Sequence, residues 1–361
     1  MDAISGLLGF TGIVLVAIAM LDVLWTTLSM TGGGPLSTGL ARGLWRSVHG
    51  LRHWTGATST RLLQLAGPGI LLSSLLMWVV LLWAGWTLLF SAAPDAVRAL
   101  QTGSPASLAG HVYFTGYTLF TLGIGNYVPA PGVWEIATAI ASLNGLFLIT
   151  LSITYLVAVL SAATRKHQLA TVIATLGRTP HDIVRRARKG EGAASFRTHL
   201  AQVVPMIEMH ARNHLAYPVL HYFHSPDRRA AVSLRIAALD DALLLLKHGL
   251  ASGASPDDAS LSPAREAIGG LLSTLHGAFI HPDEAAPPPP SLEPLSEVGV
   301  PVAGEDAYRH MSAHEVERRQ LMQAYVKDDG WTWADVGKSV VAVPRGKPAL
   351  HSGSESELET D

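Results

Sequence analysis

The stretch Thr118-Leu-Phe-Thr-Leu-Gly-Ile-Gly-Asn-Tyr-Val-Pro129 lies between two long apolar runs and carries glycine at alternate positions, Gly123 and Gly125. Glycine enters left-handed backbone conformations without steric cost, so alternate glycines let successive carbonyls turn to one side of the chain. A row of carbonyls on one side can replace the hydration shell of a cation. The preceding segment, Ser107 to Phe120, has the length of a short re-entrant helix. Non-helical backbone at membrane depth is tolerated only where protein buries it or where it lines water. A short helix leading into an extended segment meets that restriction, and the carbonyl end of such a helix favours a cation.

The flanks set the fold class. Ile4 to Met30 is apolar apart from Asp22 and a few hydroxyl residues, Gly67 to Ala92 carries no charge, and Val133 to Ala163 carries only Glu135. Each run exceeds the roughly 20 residues that a helix needs to cross about 30 Å of hydrocarbon. The 361-residue chain is 48% hydrophobic and only 15% charged, which also points to lipid. The first run lacks a basic n-region and a small-x-small cleavage site and is long for a signal peptide, so it reads as a membrane helix. The net charge of −2 decides little, but its distribution decides orientation. Arg42, Arg46, Arg52 and Arg61 follow the first run, and Arg165, Lys166, Arg178, Arg185 and Arg186 follow the third. The loop from Ala93 to Gly132 holds only Asp95 and Arg98. By the excess of basic residues in cytoplasmic loops, the N-terminus lies outside and the C-terminus inside the plasma membrane. Cysteine is absent, which excludes disulfides and thiolate metal sites.

On these residues the chain resembles the pore-loop family of potassium channels, in its bacterial two-transmembrane form with an additional N-terminal membrane helix. Thr121 matches the family's first filter threonine, Gly123 and Gly125 its two glycines, and Tyr127-Val-Pro129 a common continuation. Leu122 stands where valine or isoleucine is usual, Ile124 replaces Tyr or Phe, and Asn126 replaces Asp. Some two-pore-domain channels have similar filters. The resemblance implies a selectivity filter over Thr121, Leu122, Gly123, Ile124, Gly125 and Asn126. The carbonyls of Thr121, Leu122, Gly123 and Ile124 would bind potassium, and the Leu122 and Ile124 side chains would pack outward on the pore helix. Gly145, 24 positions after Thr121, falls where the family often places the gating hinge of the inner helix. A glycine in a membrane helix also serves close packing. Ile149, Ser152 and Tyr155 or Leu156 are candidate lining residues of a common cavity. The implied fold is an all-α membrane protein with an outer helix, a pore helix with its filter, an inner helix, an N-terminal transmembrane helix and a cytoplasmic helical domain. One pore loop per chain implies a homotetramer.

The expected organisation is an N-terminal transmembrane helix (1–30), a cytoplasmic linker with an interfacial helix (31–66), the pore domain (67–163), a helical cytoplasmic domain (164–285) and a Pro-rich linker with a short helix and an acidic tail (286–361). Leu40, Leu44, Val48, Leu51 and Trp54 recur on one side of a helix, and Arg42, Arg46, His49 and His53 on the other. That pattern suits a helix lying in the membrane interface, like the cuff helix of two-transmembrane channels, or one packed on the protein's own cytosolic domain. Periodic segments near 167–187, 194–216, 228–248 and 264–279 predict soluble helices, followed by Pro287 to Pro290 as a linker, one helix over Tyr308 to Tyr325 docked by Trp331 and Trp333, and a disordered tail.

Asp22 is an acid deep in a membrane helix, and an Arg of the following segment is its expected partner. Glu208, His210, His214, His221 and His224 cluster in one stretch. They read as a surface helix carrying histidines, with a pH sensor or a metal site started by His210 and His214 as alternatives. No nucleophile, base and orienter constellation marks an enzyme, no cofactor is implied beyond the permeant ion, and nothing points to nucleic acid. Membrane lipid and identical subunits are the expected partners. A weakly selective cation channel, and a membrane-anchored sensor or scaffold with a vestigial pore, are the rival readings.

Overall fold

The computed structural model describes residues 3–30, 32–55, 60–188, 190–254 and 256–338. The side chains of His49, Leu51, Arg52, His53, Trp54 and Arg61, and the tail at 353–361, lie outside the described residues. In chain order the first half comprises α1 (Ala3–Leu28), α2 (Pro35–Thr55), α3 (Thr60–Ser91), β1 (Val97–Ala99), α4 (Leu108–Leu119), β2 (Tyr127–Pro129) and α5 (Val133–Leu176). Among the described residues three helices, α1, α3 and α5, are long and apolar enough to cross a membrane.

The N-terminal helix α1 packs along α3 through small residues. A methyl group at Gly12 would meet the Gly85 carbonyl oxygen at 2.6 Å, and one at Gly85 would meet Val16 at 2.8 Å. Without a hydrophobic drive between helices in lipid, such close backbone approach is what holds two membrane helices together. Asp22 closes the arrangement at the other end of α1. It is 2% exposed, and among the described residues no arginine pairs with it. Its carboxylate accepts the N–H groups of Leu36 (2.8 Å) and Ser37 (3.2 Å), the Ser37 hydroxyl and the Trp78 indole (2.8 Å). The first turn of α2 offers unsatisfied N–H groups and a positive dipole end, and these compensate the buried carboxylate. Gly34 makes the approach possible, since a methyl group there would meet Asp22 Oδ1 at 2.2 Å. A single carboxylate thus ties α1, α2 and α3.

The helix α2 has Ala41 buried and Leu44 and Trp45 packed on the membrane-side core, with Arg42 and Arg46 exposed. Trp45 also stacks on His224 (centroids 5.0 Å) and meets Tyr222 (5.2 Å), so the helix packs on the protein's own C-terminal half.

The helix that carries the third apolar run does not end near Ala163. The helix α5 is continuous for 44 residues to Leu176. At 1.5 Å per residue that is about 66 Å, roughly twice the hydrocarbon thickness. The helix expected over 167–187 is therefore the end of α5 plus α6 (Pro180–Ala187), separated at Gly177, where a methyl group would meet the Ile183 nitrogen at 2.6 Å.

Beyond α6 follow α7 (Gly190–Ala216), a 3₁₀ turn (Pro218–Tyr222), α8 (Val232–Leu244) with a π turn at Leu245–Gly249, α9 (Asp258–Ala278), α10 (Glu293–Ser296), α11 (Glu305–Ser312) and α12 (Val316–Asp328). The end of α5, α6 to α9 and residues Leu292 to Val336 share one hydrophobic core. The separate linker expected from residue 286 is corrected accordingly. Arg319 donates to the carbonyls of Pro287 (3.2 Å) and Pro288 (2.7 Å), and Tyr308 donates to that of Pro290 (3.0 Å), so the proline run is a bound strap. The helix expected over 308–325 is broken by a 3₁₀ turn at Ala313–Glu315 into α11 and α12, with Trp331 and Trp333 packed on the core.

Replacing Asp22 with Ala leaves two N–H groups of α2 and the Trp78 indole without an acceptor. The expected loss of stability is about 2–3 kcal/mol, read as a lower thermal midpoint of the detergent-solubilised protein, whereas Asp22→Asn, which keeps one acceptor oxygen, loses less.

Candidate functional site

The helix α4 starts at Ser107, whose hydroxyl accepts the Gly110 N–H (3.2 Å), and ends with the Phe120 N–H on the Gly116 carbonyl (3.1 Å). The next two N–H groups still return to the helix, Thr121 to Thr118 (3.1 Å) and Leu122 to Tyr117 (2.8 Å). From there the backbone sign alternates. Thr121 has φ +57°, Gly123 +60° and Gly125 +80°, and among the described residues Thr121 is the one non-glycine residue with positive φ. Carbonyls of an ordinary strand point alternately left and right. Reversing the sign of φ at every second residue turns the alternate carbonyls toward one side, which glycine accepts freely and threonine only under constraint from its surroundings.

Two restraints hold this segment. The strands β1 and β2 pair antiparallel, Val97 with Pro129, Arg98 with Val128 and Ala99 with Tyr127, and the Leu100 N–H donates to the Asn126 carbonyl (3.0 Å). The Tyr117 hydroxyl donates to the Tyr127 carbonyl, and Tyr113 packs edge-on against both Tyr117 (5.3 Å) and Tyr127 (6.2 Å). Phe90 of α3 meets Phe114 edge-on at 5.1 Å, and Trp83 donates its indole N–H to the Val112 carbonyl (2.9 Å). Three-residue strands are too short to display a period, so the ribbon left no signal in the sequence.

Within one chain Leu122 and Ile124 do not pack on α4. They are 65% and 48% exposed, contrary to expectation. A groove of about 460 Å³ separates the loop from the first turns of α5, lined by Thr121, Gly123, Gly125, Thr138 and Ser142 among others. Ile136, Ile140, Leu143 and Phe147 continue an exposed stripe along α5. Lipid can cover an apolar helix face but not a loop with unpaired backbone groups, which needs protein or water against it.

The Gly145 backbone rests against the end of α4, where an added methyl group would meet the Leu119 carbonyl oxygen at 2.0 Å. The helix passes through Gly145 unbroken, so here the residue serves close packing. Of the candidate lining residues, Ile149 is exposed and Ser152 and Leu156 are half-buried. Tyr155 is buried, turned into the subunit against Trp78 (6.3 Å) and Tyr217 (6.0 Å).

Residues 76–162 match the family model described as "Ion channel", a segment that runs from α3 through the loop into α5. The chain belongs to this ion-channel family. It is also 34% identical over 323 residues to the uncharacterized membrane protein YdjJ of Bacillus subtilis (strain 168), which covers 89% of this chain and 94% of the relative. The likeness therefore extends well beyond the pore domain. No solved structure matches.

Below the pore domain of this channel, the segment from Tyr217 to His224 joins both halves of the chain. Gly67 of α3 admits it, since a methyl group there would meet Phe223 at 2.7 Å. Lys166 of α5 donates to the Phe223 carbonyl (2.7 Å) and lies 3.9 Å from Asp329, which also takes the His224 imidazole (2.6 Å) and the Ser233 hydroxyl (2.5 Å). His221 pairs with Asp328 at 2.7 Å and stacks on Phe279. His210, His214, His221 and His224 are all buried, which corrects the expectation of a surface histidine helix. The stretch reads as polar because its burial depends on partners about 100 residues away in α12 and after it.

One ring nitrogen of each histidine of the pair is engaged by a neighbour. His214 Nδ1 donates to the His210 carbonyl (3.0 Å), and His210 Nε2 lies 3.4 Å from the Tyr325 hydroxyl. Among the described residues no group of three or more His, Asp or Glu side chains is placed to hold a metal ion. Burial, reinforced by the Lys166 charge, pushes His214 down to about 3, and burial with the nearby His214 holds His210 well below its ordinary value.

Both imidazoles therefore stay neutral in the folded channel at pH values where the unfolded chain, with histidines near 6.5, takes up protons. Stability should be full above about pH 6.5 and fall as the pH drops toward 3, by up to about 1.4 kcal/mol per pH unit for each histidine. Thermal midpoints measured between pH 7.5 and 5 check this, and His214→Asn should flatten the slope. Gly145→Val should prevent assembly of the α4–α5 contact, read as lost folded yield, while Gly43→Ala on the exposed side of α2, with open space around it, should not.

Proposed function

We propose that the protein is the pore-forming subunit of a homotetrameric, potassium-selective channel in the plasma membrane, with its N-terminus outside and its C-terminus cytoplasmic. The observation that carries this reading is the sign alternation at Thr121, Gly123 and Gly125, beginning at the carbonyl end of α4. A run of carbonyls turned to one side repels itself unless a cation sits against it. Four such runs around an axis give rings of oxygens from Thr121, Leu122, Gly123 and Ile124, and ions move between adjacent rings by mutual repulsion. The exposed Leu122 and Ile124 and the groove beside them favour three further copies as the missing cover. Gly125 and Asn126 finish the filter, and the Leu100–Asn126 bond pins its outer end. Gly145 serves as a hinge only if its contact with Leu119 is released on opening.

A weakly selective cation channel is the second reading, favoured by Ile124. An aliphatic residue there keeps the carbonyl run but has no hydroxyl with which to fix the filter width. The Tyr117 hydroxyl on the Tyr127 carbonyl offers a substitute restraint from behind the filter. In liposomes of purified protein, potassium flux should exceed sodium flux at least tenfold, and Tyr117→Phe should lower that ratio while leaving potassium flux measurable. Gly123→Ala should abolish flux, because the new side chain resists φ +60°. Equal sodium and potassium flux in the unaltered protein would favour the second reading.

A further inference from the structure

A cavity of about 290 Å³ lies between the foot of α5 and α7, at the small end of the roughly 300–1,000 Å³ usual for ligand sites. Arg165 and Lys166 line it from α5, and Met206, Met209, His210 and Asn213 from α7; no carboxylate lines it. His210 and Asn213 are 3% and 7% exposed, yet His210 Nδ1 and Asn213 Nδ2 are buried without a hydrogen-bond partner among the described residues. Buried polar atoms nearly always have partners, so two orphans lining one cavity call for an occupant that supplies them.

Both orphans are donors. Asn213 Nδ2 is an amide N–H₂. Burial keeps the Tyr325 phenol protonated. Its hydroxyl lies 3.4 Å from His210 Nε2, and the tautomer in which it donates there keeps the proton of the neutral ring on Nδ1. Arg165 is exposed at the mouth and, among the described residues, makes no ion pair. Its planar fork suits a two-oxygen acceptor. The ammonium of Lys166 is held by the Phe223 carbonyl and adds positive field rather than contact. Met206 and Met209 provide an adaptable apolar wall.

We infer that this cavity binds the phosphate or carboxylate group of a small ligand, held by Arg165, Asn213 and His210. Bound there, it bridges the helix that leads to the pore and the C-terminal core, and so acts as an effector. The effector role rests on the pore reading; the binding does not.

The full chain in neutral detergent is titrated with sodium phosphate, sodium succinate and dihexanoyl phosphatidylglycerol, against sodium chloride at matched ionic strength, with the thermal midpoint as readout. At least one of the three anions should raise the midpoint beyond chloride, and Arg165→Gln, at an exposed position, should weaken the response at least tenfold. Asn213→Leu should abolish it. A response to phosphate or succinate assigns a soluble ligand, and a response to the lipid alone assigns a headgroup. No response beyond chloride, or a response unchanged in both variants, overturns the site.

Discussion

A backbone whose φ changes sign at every second residue fits neither helix nor sheet, and the surroundings of the loop follow from that constraint. In a helix each carbonyl finds an N–H four residues on, and in a sheet it finds a neighbouring strand. The segment from Thr121 to Gly125 has neither. It persists because both of its ends are fixed, by α4 through Tyr117 and Thr118 and by the β1–β2 ribbon through Asn126. Its φ +57° at a threonine is a conformation that only such an over-determined setting retains. The aromatic packing of Phe90, Phe114, Tyr113 and Tyr127 then makes the setting stiff. What the single chain leaves open is the side facing the groove, with Leu122 and Ile124 exposed beside it.

The same chain couples that segment to its C-terminal half through one helix. The helix α5 runs unbroken from beside the loop into the C-terminal core, so one rigid element belongs to both. Lys166 and Asp329 are 4% and 5% exposed, and such buried charges are retained only with full hydrogen bonding. Here the Phe223 carbonyl, His224 and Ser233 provide it. The junction is thus specified by polar groups that tolerate few alternative arrangements. On the membrane side, Asp22 plays the equivalent part for α1, α2 and α3.

Much of this was legible in the sequence. Length and hydropathy located three membrane helices, and the alternate glycines located the strained loop. Local chemistry sufficed because lipid imposes continuous apolar runs, and positive φ selects glycine. The failures share a cause. Asp22 took N–H groups of α2 and the Trp78 indole, Tyr155 turned inward to Trp78, and the histidines were buried under α12. Each depends on a partner far away in the chain, which periodicity does not encode. The end of α5 was also hidden, since charged Arg165 and Lys166 mark where lipid ends but not where the helix does.

The central claim is that the loop carbonyls form cation sites only when four chains meet. A crystal structure of the assembled protein grown with thallium in place of potassium tests it most directly, because thallium is located by its anomalous scattering. The account predicts a four-fold assembly with a column of thallium peaks on the axis between the Thr121 and Ile124 carbonyls. A two-fold or monomeric protein, or a four-fold axis without peaks at those carbonyls, would contradict it.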